Sequence, residues 1–175
     1  MNKEGKSLPR PKIKGIDLGV DYAFKNTGSG DFKLNVLASH YIDYQNQADS
    51  TAPFENVVGK YVDAAGGSRG SIPKWKGLAS LDWTATGGVN AGLQMNYVPH
   101  LFAGLDNERT DLDASGTYDV YLGYDFAQAS KFTLGANNVT DKMPPSTDPA
   151  FNDNIDARTH NLIGRFYYAR YGIQL

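Results

Sequence analysis

Apolar and polar positions alternate with period two along most of this chain, and that alternation predicts strands with one apolar and one polar face. Between positions 15 and 25, Ile16, Leu18, Val20, Tyr22 and Phe24 alternate with Asp17, Gly19, Asp21, Ala23 and Lys25. The segment 31–44 sets Phe32, Leu34, Val36, Ala38, Ile42 and Tyr44 against Lys33, Asn35, Ser39 and Asp43, with His40 interrupting the apolar side. In 74–85, Trp75, Ala79, Leu81 and Trp83 oppose Lys74, Lys76, Ser80, Asp82 and Thr84. In 89–98, Val89, Ala91, Leu93, Met95 and Tyr97 oppose Asn90, Gln94 and Asn96. Tyr118, Val120, Leu122, Tyr124 and Phe126 oppose Asp119, Tyr121, Gly123 and Asp125, and Phe132, Leu134 and Ala136 oppose Thr133, Gly135 and Asn137. At the end, Tyr167, Ala169, Tyr171, Ile173 and Leu175 oppose Tyr168, Arg170, Gly172 and Gln174.

Seven strands result, and the connections between them alternate in length. NTGSG (26–30), TGG (86–88) and AQAS (127–130) are tight turns, whereas 45–72, 99–116 and 141–156 are long polar segments. Residues 1–14 read as a polar lead-in loop, with Pro9 and Pro11 opposing regular pairing. A strand of about nine to eleven residues, apolar on one face and flanked by aromatics, suffices to cross a bilayer in a β-barrel. Such barrels have short turns on the periplasmic side, longer loops outside and a polar lumen. A soluble sandwich also alternates, but has no reason to alternate its loop lengths or to place Asp, Lys and Asn on successive inner faces. The pattern therefore predicts an all-β, antiparallel transmembrane barrel wall.

Composition sharpens this reading. Gly (19), Tyr (11) and Phe (8) are abundant in 175 residues, and the formal net charge is −2. Mean hydropathy is −0.45 and no apolar run of helix-spanning length occurs, which excludes transmembrane helices and leaves a barrel open. Scattered Lys and Arg give no nucleic-acid footprint. The absence of cysteine excludes disulfides and thiolate metal sites, and three isolated histidines form no ligand cluster. No cofactor is implied. With the short turns periplasmic, the chain starts outside and its C-terminus lies in the periplasm. An odd strand number and an N-terminus without an apolar signal core lead to the expectation that this is a C-terminal portion of something larger. A complete eight-stranded barrel would need a further strand hidden in residues 1–14.

Several stretches carry a family resemblance. GANNVTDKMPP (135–145) resembles the penultimate-strand motif of TonB-dependent receptors, and GRFYYARYGIQL (164–175) their terminal strand. IPKWKGLASLDW (72–83), IKGIDLGVDYAF (13–24) and TYDVYLGYDF (117–126) are similar to earlier strands of the same barrels. The resemblance implies that residues 15–175 form about the last third of a 22-stranded barrel, without the plug and TonB box. It implies active uptake of a scarce nutrient (siderophore-iron, haem, cobalamin or oligosaccharide) across a Gram-negative outer membrane, with no enzymatic activity. The implied partners are membrane lipid, the rest of the barrel and plug, the TonB complex and the nutrient. The family usually ends in Phe where this chain has Leu175.

The motif residues Asn137, Asn138, Asp141, Lys142, Pro144, Pro145, Gly164 and Arg165 are expected to be structural, since Asn and Asp at a strand end satisfy loop backbone groups. Ligand contacts are expected from polar and aromatic residues towards the long loops, which suit sugars or chelates in a wet cavity: Tyr41, Asp43, Lys74, Lys76, Asn96 and Arg109. DLDASGTYD (111–119) has the oxygen spacing of a Ca²⁺ loop, but Leu122 stands where its bidentate Glu belongs, so turn chemistry accounts for it. The carboxylate pairs Asp17/Asp21 and Asp119/Asp125 are expected to be solvated lumen residues rather than an acid–base site. The alternative reading is a soluble or secreted all-β carbohydrate-binding module, whose apolar face would be a core.

Overall fold

A computed structural model describes residues 11–47, 51–64, 67–103, 110–126, 130–146, 155–157 and 159–173. The described residues form twelve strands: β1 (Lys12–Thr27), β2 (Gly30–Gln47), β3 (Phe54–Asn56), β4 (Lys60–Ala64), β5 (Gly67–Ser71), β6 (Trp75–Thr84), β7 (Val89–Val98), β8 (Leu101–Ala103), β9 (Thr110–Leu112), β10 (Ser115–Phe126), β11 (Ser130–Asn137) and β12 (Phe166–Ile173). The seven long ones pair antiparallel in the order β1-β2-β6-β7-β10-β11-β12, and β3 pairs with the end of β2. The sheet is open, with β1 and β12 at its edges.

The seven strands coincide with the seven alternating segments, but several run longer. β1 begins at Lys12, inside the stretch expected as lead-in, and β2 runs on to Gln47. The long segment 45–72 carries β3, β4 and β5, and 99–116 carries β8 and β9. These polar stretches lack a two-sided apolar pattern; they form ladders because backbone N–H and C=O groups seek partners whatever the side chains are. β12, by contrast, begins only at Phe166, because 159–165 lacks alternation and turns instead.

Cross-strand register carries the alternation through the whole sheet. Tyr22, Leu34, Leu81, Leu93, Val120, Ala136 and Tyr167 form one unbroken row over seven strands. Phe24, Phe32, Trp83, Ala91, Leu122, Leu134 and Ala169 form the next. Nothing among the described elements covers this face: Leu18, Leu122 and Leu134 are each more than half exposed (55%, 57% and 51%). Aromatic rings collect at both ends of it. Near the short turns lie Phe24, Phe32, Trp83, Tyr124, Phe126 and Phe132, with edge-on Tyr22–Phe24 and Tyr124–Phe126 pairs at 4.5 and 4.8 Å. At the other end His40 stacks on Trp75 at 4.1 Å, one row beyond Tyr97. Trp83 also donates its indole N–H to the Ser29 carbonyl at 2.7 Å, tying the first turn to the face.

The buried apolar core is correspondingly small. Leu101 and Leu112, each 1% exposed, join Val98 where β7 leaves the large sheet for β8 and β9. Those two short strands belong to a second sheet, in the order β5-β4-β8-β9, in which β4 and β8 pair parallel. The tight turns depend on backbone that only glycine takes readily. Gly30 (φ 117°) and Gly88 (φ 87°) have positive φ, and a Cβ on either would run into a neighbouring carbonyl, that of Thr84 or of Asp125.

A bulge shifts the register between Lys14 and Gly15, so that Gly15 pairs with Tyr41 and Lys14 with Asp43. The extra residue in β2 inverts the alternation beyond Tyr41. Asp43 therefore leaves the side of Lys33 and Asn35, where its position in the sequence had placed it.

Candidate functional site: a cavity on the polar face

The second face of the sheet is polar, and its groups satisfy one another across strands. Asn35 donates to Asp21 at 2.7 Å, and Tyr121 donates its hydroxyl to Asp82, two strands away, at 2.7 Å. Tyr121 reaches that far because its ring lies over Gly92, where a Cβ would collide with it; the ring of Tyr168 lies over Gly135 in the same way. Asp119 gathers three donors, taking the backbone N–H of Asn138 at 2.7 Å and the side-chain amides of Asn96 and Gln94 at 3.2 and 3.4 Å.

The end of β11 is organised by the Asn-Asn-Val-Thr-Asp-Lys stretch. Asn138, buried at 5% exposure and with φ 48°, closes a ring with Lys142: its Nδ2 donates to the Lys142 carbonyl and its Oδ1 accepts the Lys142 N–H, both at 2.9 Å. Asp141 (φ 54°) accepts the Arg165 N–H at 2.8 Å, and its carboxylate lies 3.8 Å from the Arg165 guanidinium. A side chain at Gly164 would press on Asp141 Oδ1. These residues thus fix where β11 stops and β12 starts. Asn137 lies one position earlier, at the last rung of β11, opposite Phe166. Pro144 and Pro145, neither of which can donate a backbone N–H, follow where the ladder has ended.

Between these strands, residues 155–157 and 159–163 turn back over the polar face. Asp156, 2% exposed, accepts the N–H of Ser71 at the end of β5 at 3.0 Å, and Thr159 donates to the Ser71 carbonyl at 3.4 Å. The Asp156 carbonyl accepts the N–H groups of Thr159 and His160 at 3.3 and 3.1 Å, closing the turn. Beneath lies a cavity of about 470 Å³. Leu37, Leu78 and Val98 supply apolar lining, Ser39, Thr117 and Asn96 polar walls, and Lys76, Asp119 and His160 the titratable groups. His160 is half-buried; burial, together with the Lys76 ammonium, pushes its imidazole below the usual histidine range, opposed by the Asp156 carboxylate.

Of the expected ligand contacts, the cavity brings together Lys76 and Asn96. Lys74 lies outside the cavity lining; its carbonyl accepts the Tyr41 N–H at 3.0 Å and is 3.0 Å from His40 Nδ1. Tyr41 packs edge-on against Tyr44 at 6.4 Å, away from the cavity lining, and Asp43 accepts from Gln45 at 2.7 Å. Arg109 lies outside the described residues. Sequence reasoning missed Asp156 and His160, which had no pattern around them; their positions depend on contact with Ser71, 85 residues earlier. The carboxylates Asp119 and Asp125 are held apart by separate partners, Asp125 lying 3.5 Å from Lys131. Among the described residues no group of three His, Cys, Asp or Glu side chains could hold a metal ion.

The open sheet, its continuous bare apolar face and its polar opposite face agree with one comparison. The family described as TonB dependent receptor-like, beta-barrel, matches residues 7–139, more than half of the chain. The chain belongs to the TonB-dependent receptor β-barrel family. No curated protein and no solved structure matches it. Membership identifies this wall as part of an outer-membrane nutrient-uptake barrel, from a family of transporters and not of enzymes. In such a barrel the apolar face meets lipid and the polar face lines the lumen.

Proposed function

We propose that this chain forms wall and loops of an active outer-membrane receptor, and that its nutrient ligand is held on the lumen side towards the long loops. The observation that carries the reading is the cavity beneath 159–163, which gathers Lys76, Asn96, Thr117 and His160 at the long-loop end of a polar wall. The long loops face the outside and the C-terminus the periplasm. Residues 15–175 act as barrel segment, closed by further strands, filled by a plug and energised through the TonB complex. The cargo belongs among siderophore-iron, haem, cobalamin and oligosaccharides. A soluble carbohydrate-binding module is disfavoured by the same sheet, because its seven-strand apolar rows would stand bare in water.

Thiol labelling in outer membranes tests this reading. Thr117→Cys, in the cavity, should react with a membrane-impermeant maleimide added to whole cells. Leu122→Cys, on the opposite face, should react only with a lipid-soluble reagent. Equal labelling of both by the water-soluble reagent would refute the assignment of the faces.

A further inference from the structure

The roof of the cavity is fastened differently from its wall. The wall comes from β2, β6, β7 and β10, whose ladders are continuous with the large sheet. The roof is Thr159, His160, Asn161 and Ile163. Among the described residues no hydrogen bond joins these four to the wall strands: Thr159 and His160 bond to Asp156 and Ser71, and Ile163 to Asn161. The roof is held at its ends instead. On one side the Arg165 N–H is fixed to Asp141 at 2.8 Å. On the other, both backbone groups of Ser71 are engaged, its N–H by the Asp156 carboxylate at 3.0 Å and its carbonyl by the Thr159 hydroxyl at 3.4 Å. This second attachment buries two polar atoms, Ser71 Oγ and His160 Nε2, that have no hydrogen-bond partner. Such atoms disfavour the arrangement that buries them, and lifting the roof returns both to water. An element so weakly bonded to its support belongs at the low-stability end of a structure.

We propose that residues 155–157 and 159–163 form a strap that opens and closes the cavity, pivoting beside Arg165 and latched by Asp156 on Ser71. The inference rests on the lumenal reading of the cavity and adds a gate to it. Closed, strap and wall enclose about 470 Å³; open, the same wall residues are an uncovered stretch of lumen. The latch also responds to acidity. The charged groups facing His160 among the described residues are Asp156 on its own turn, Lys76 from β6 and Asp119 from β10. Burial holds the docked imidazole below its ordinary value of 6.5, opposed by Asp156 and helped by Lys76. Lifting the strap restores the ordinary value. The closed form is therefore fully favoured above about pH 6.5 and loses ground as pH falls towards the docked value.

Maleimide labelling rates on the intact receptor in outer membranes test this. The chain carries no cysteine, so Thr117→Cys reports on the cavity and Ser80→Cys on polar wall outside it. The ratio of the two rates removes the effect of pH on the thiol itself. Asp156→Ala should raise the Thr117→Cys rate by about tenfold, the weight of one charge-assisted hydrogen bond, and leave Ser80→Cys unchanged. Thr159→Val, which keeps the latch carboxylate, should raise it by a smaller factor. Lowering the pH from about 7.5 to about 5.5 should raise the ratio about threefold or more, and His160→Gln should abolish that rise. A ratio indifferent to Asp156→Ala overturns the strap, as does an equal rise at Ser80→Cys, which would mean that the wall itself had loosened. A ratio indifferent to pH overturns the part given to His160. If the strap fails while Thr117→Cys still labels from outside, the lumenal reading stands. If Thr117→Cys stays unlabelled in every background, both fail.

Discussion

The two faces of the seven-stranded sheet are built by different rules. On the lipid side the two rows that run from β1 to β12 are apolar, and apart from Trp83, whose indole N–H is bound to Ser29, their side chains could be exchanged for others of similar size without altering a hydrogen bond. On the lumen side each residue matters through a particular partner: Tyr121 through Asp82 and Gly92, Asn138 through Lys142 and Asp119, Asp156 through Ser71. Lipid asks only that a surface be apolar, whereas polar groups in a narrow wet lumen find their best acceptors among one another. The lipid face is therefore a composition, and the lumen face is a network.

The strongest way to break this contrast is to place one charge on adjacent residues. Leu93→Arg should destabilise the folded barrel by about 2–4 kcal/mol in lipid vesicles, the usual cost of a cation on the lipid face near the midplane. Gln94→Arg, one position on and facing the lumen, should cost less than about 1 kcal/mol. Urea unfolding in vesicles measures both, and equal costs would abolish the distinction between the faces.

Next in size is Gly92→Val, which should cost about 1–3 kcal/mol by driving the Tyr121 ring off the sheet and away from Asp82. In a Tyr121→Ala background the same substitution should cost much less, so a double-mutant cycle reports whether the ring and the glycine act as a unit. Asp119→Asn tests the network by its charge. It should cost about 1–2 kcal/mol, because the short bond from the Asn138 N–H loses its ionised acceptor. Limited proteolysis should then cut the 155–163 segment faster; unchanged cleavage would mean that Asp119 does not hold the end of β11. The smallest effect belongs to Lys131→Met. Its ion pair with Asp125 spans 3.5 Å between side chains that are half exposed, and its loss should stay within about 0.5 kcal/mol.

The strands were legible because membrane-spanning sheet is written in short-range alternation: Ile16 to Phe24 and Val89 to Tyr97 declare both element and face without any partner. The tight turns were legible for a similar reason, since positive φ at Gly30 and Gly88 is a property of the residue itself. Lys76 and Asn96 could be placed on the polar face near the long loops, where both line the cavity. Asp43 could not, because a bulge opposite Gly15 leaves little mark in the local pattern yet reverses every side chain beyond it. Strands β3, β4, β5, β8 and β9 were invisible, since polar backbone ladders need no apolar code.

The sequence by itself determined the fold class, the seven spanning strands and which side of each meets lipid. Period-two burial is a local property, repeated on every strand. Only the tertiary structure decided which donors share an acceptor and where the cavity forms. Asp119 meets Asn138 across 19 positions, and Asp156 meets Ser71 across 85, so neither contact exists until the ladders bring the strands side by side. Hydrogen bonding between distant residues is a property of register and loop docking, and no local pattern encodes it.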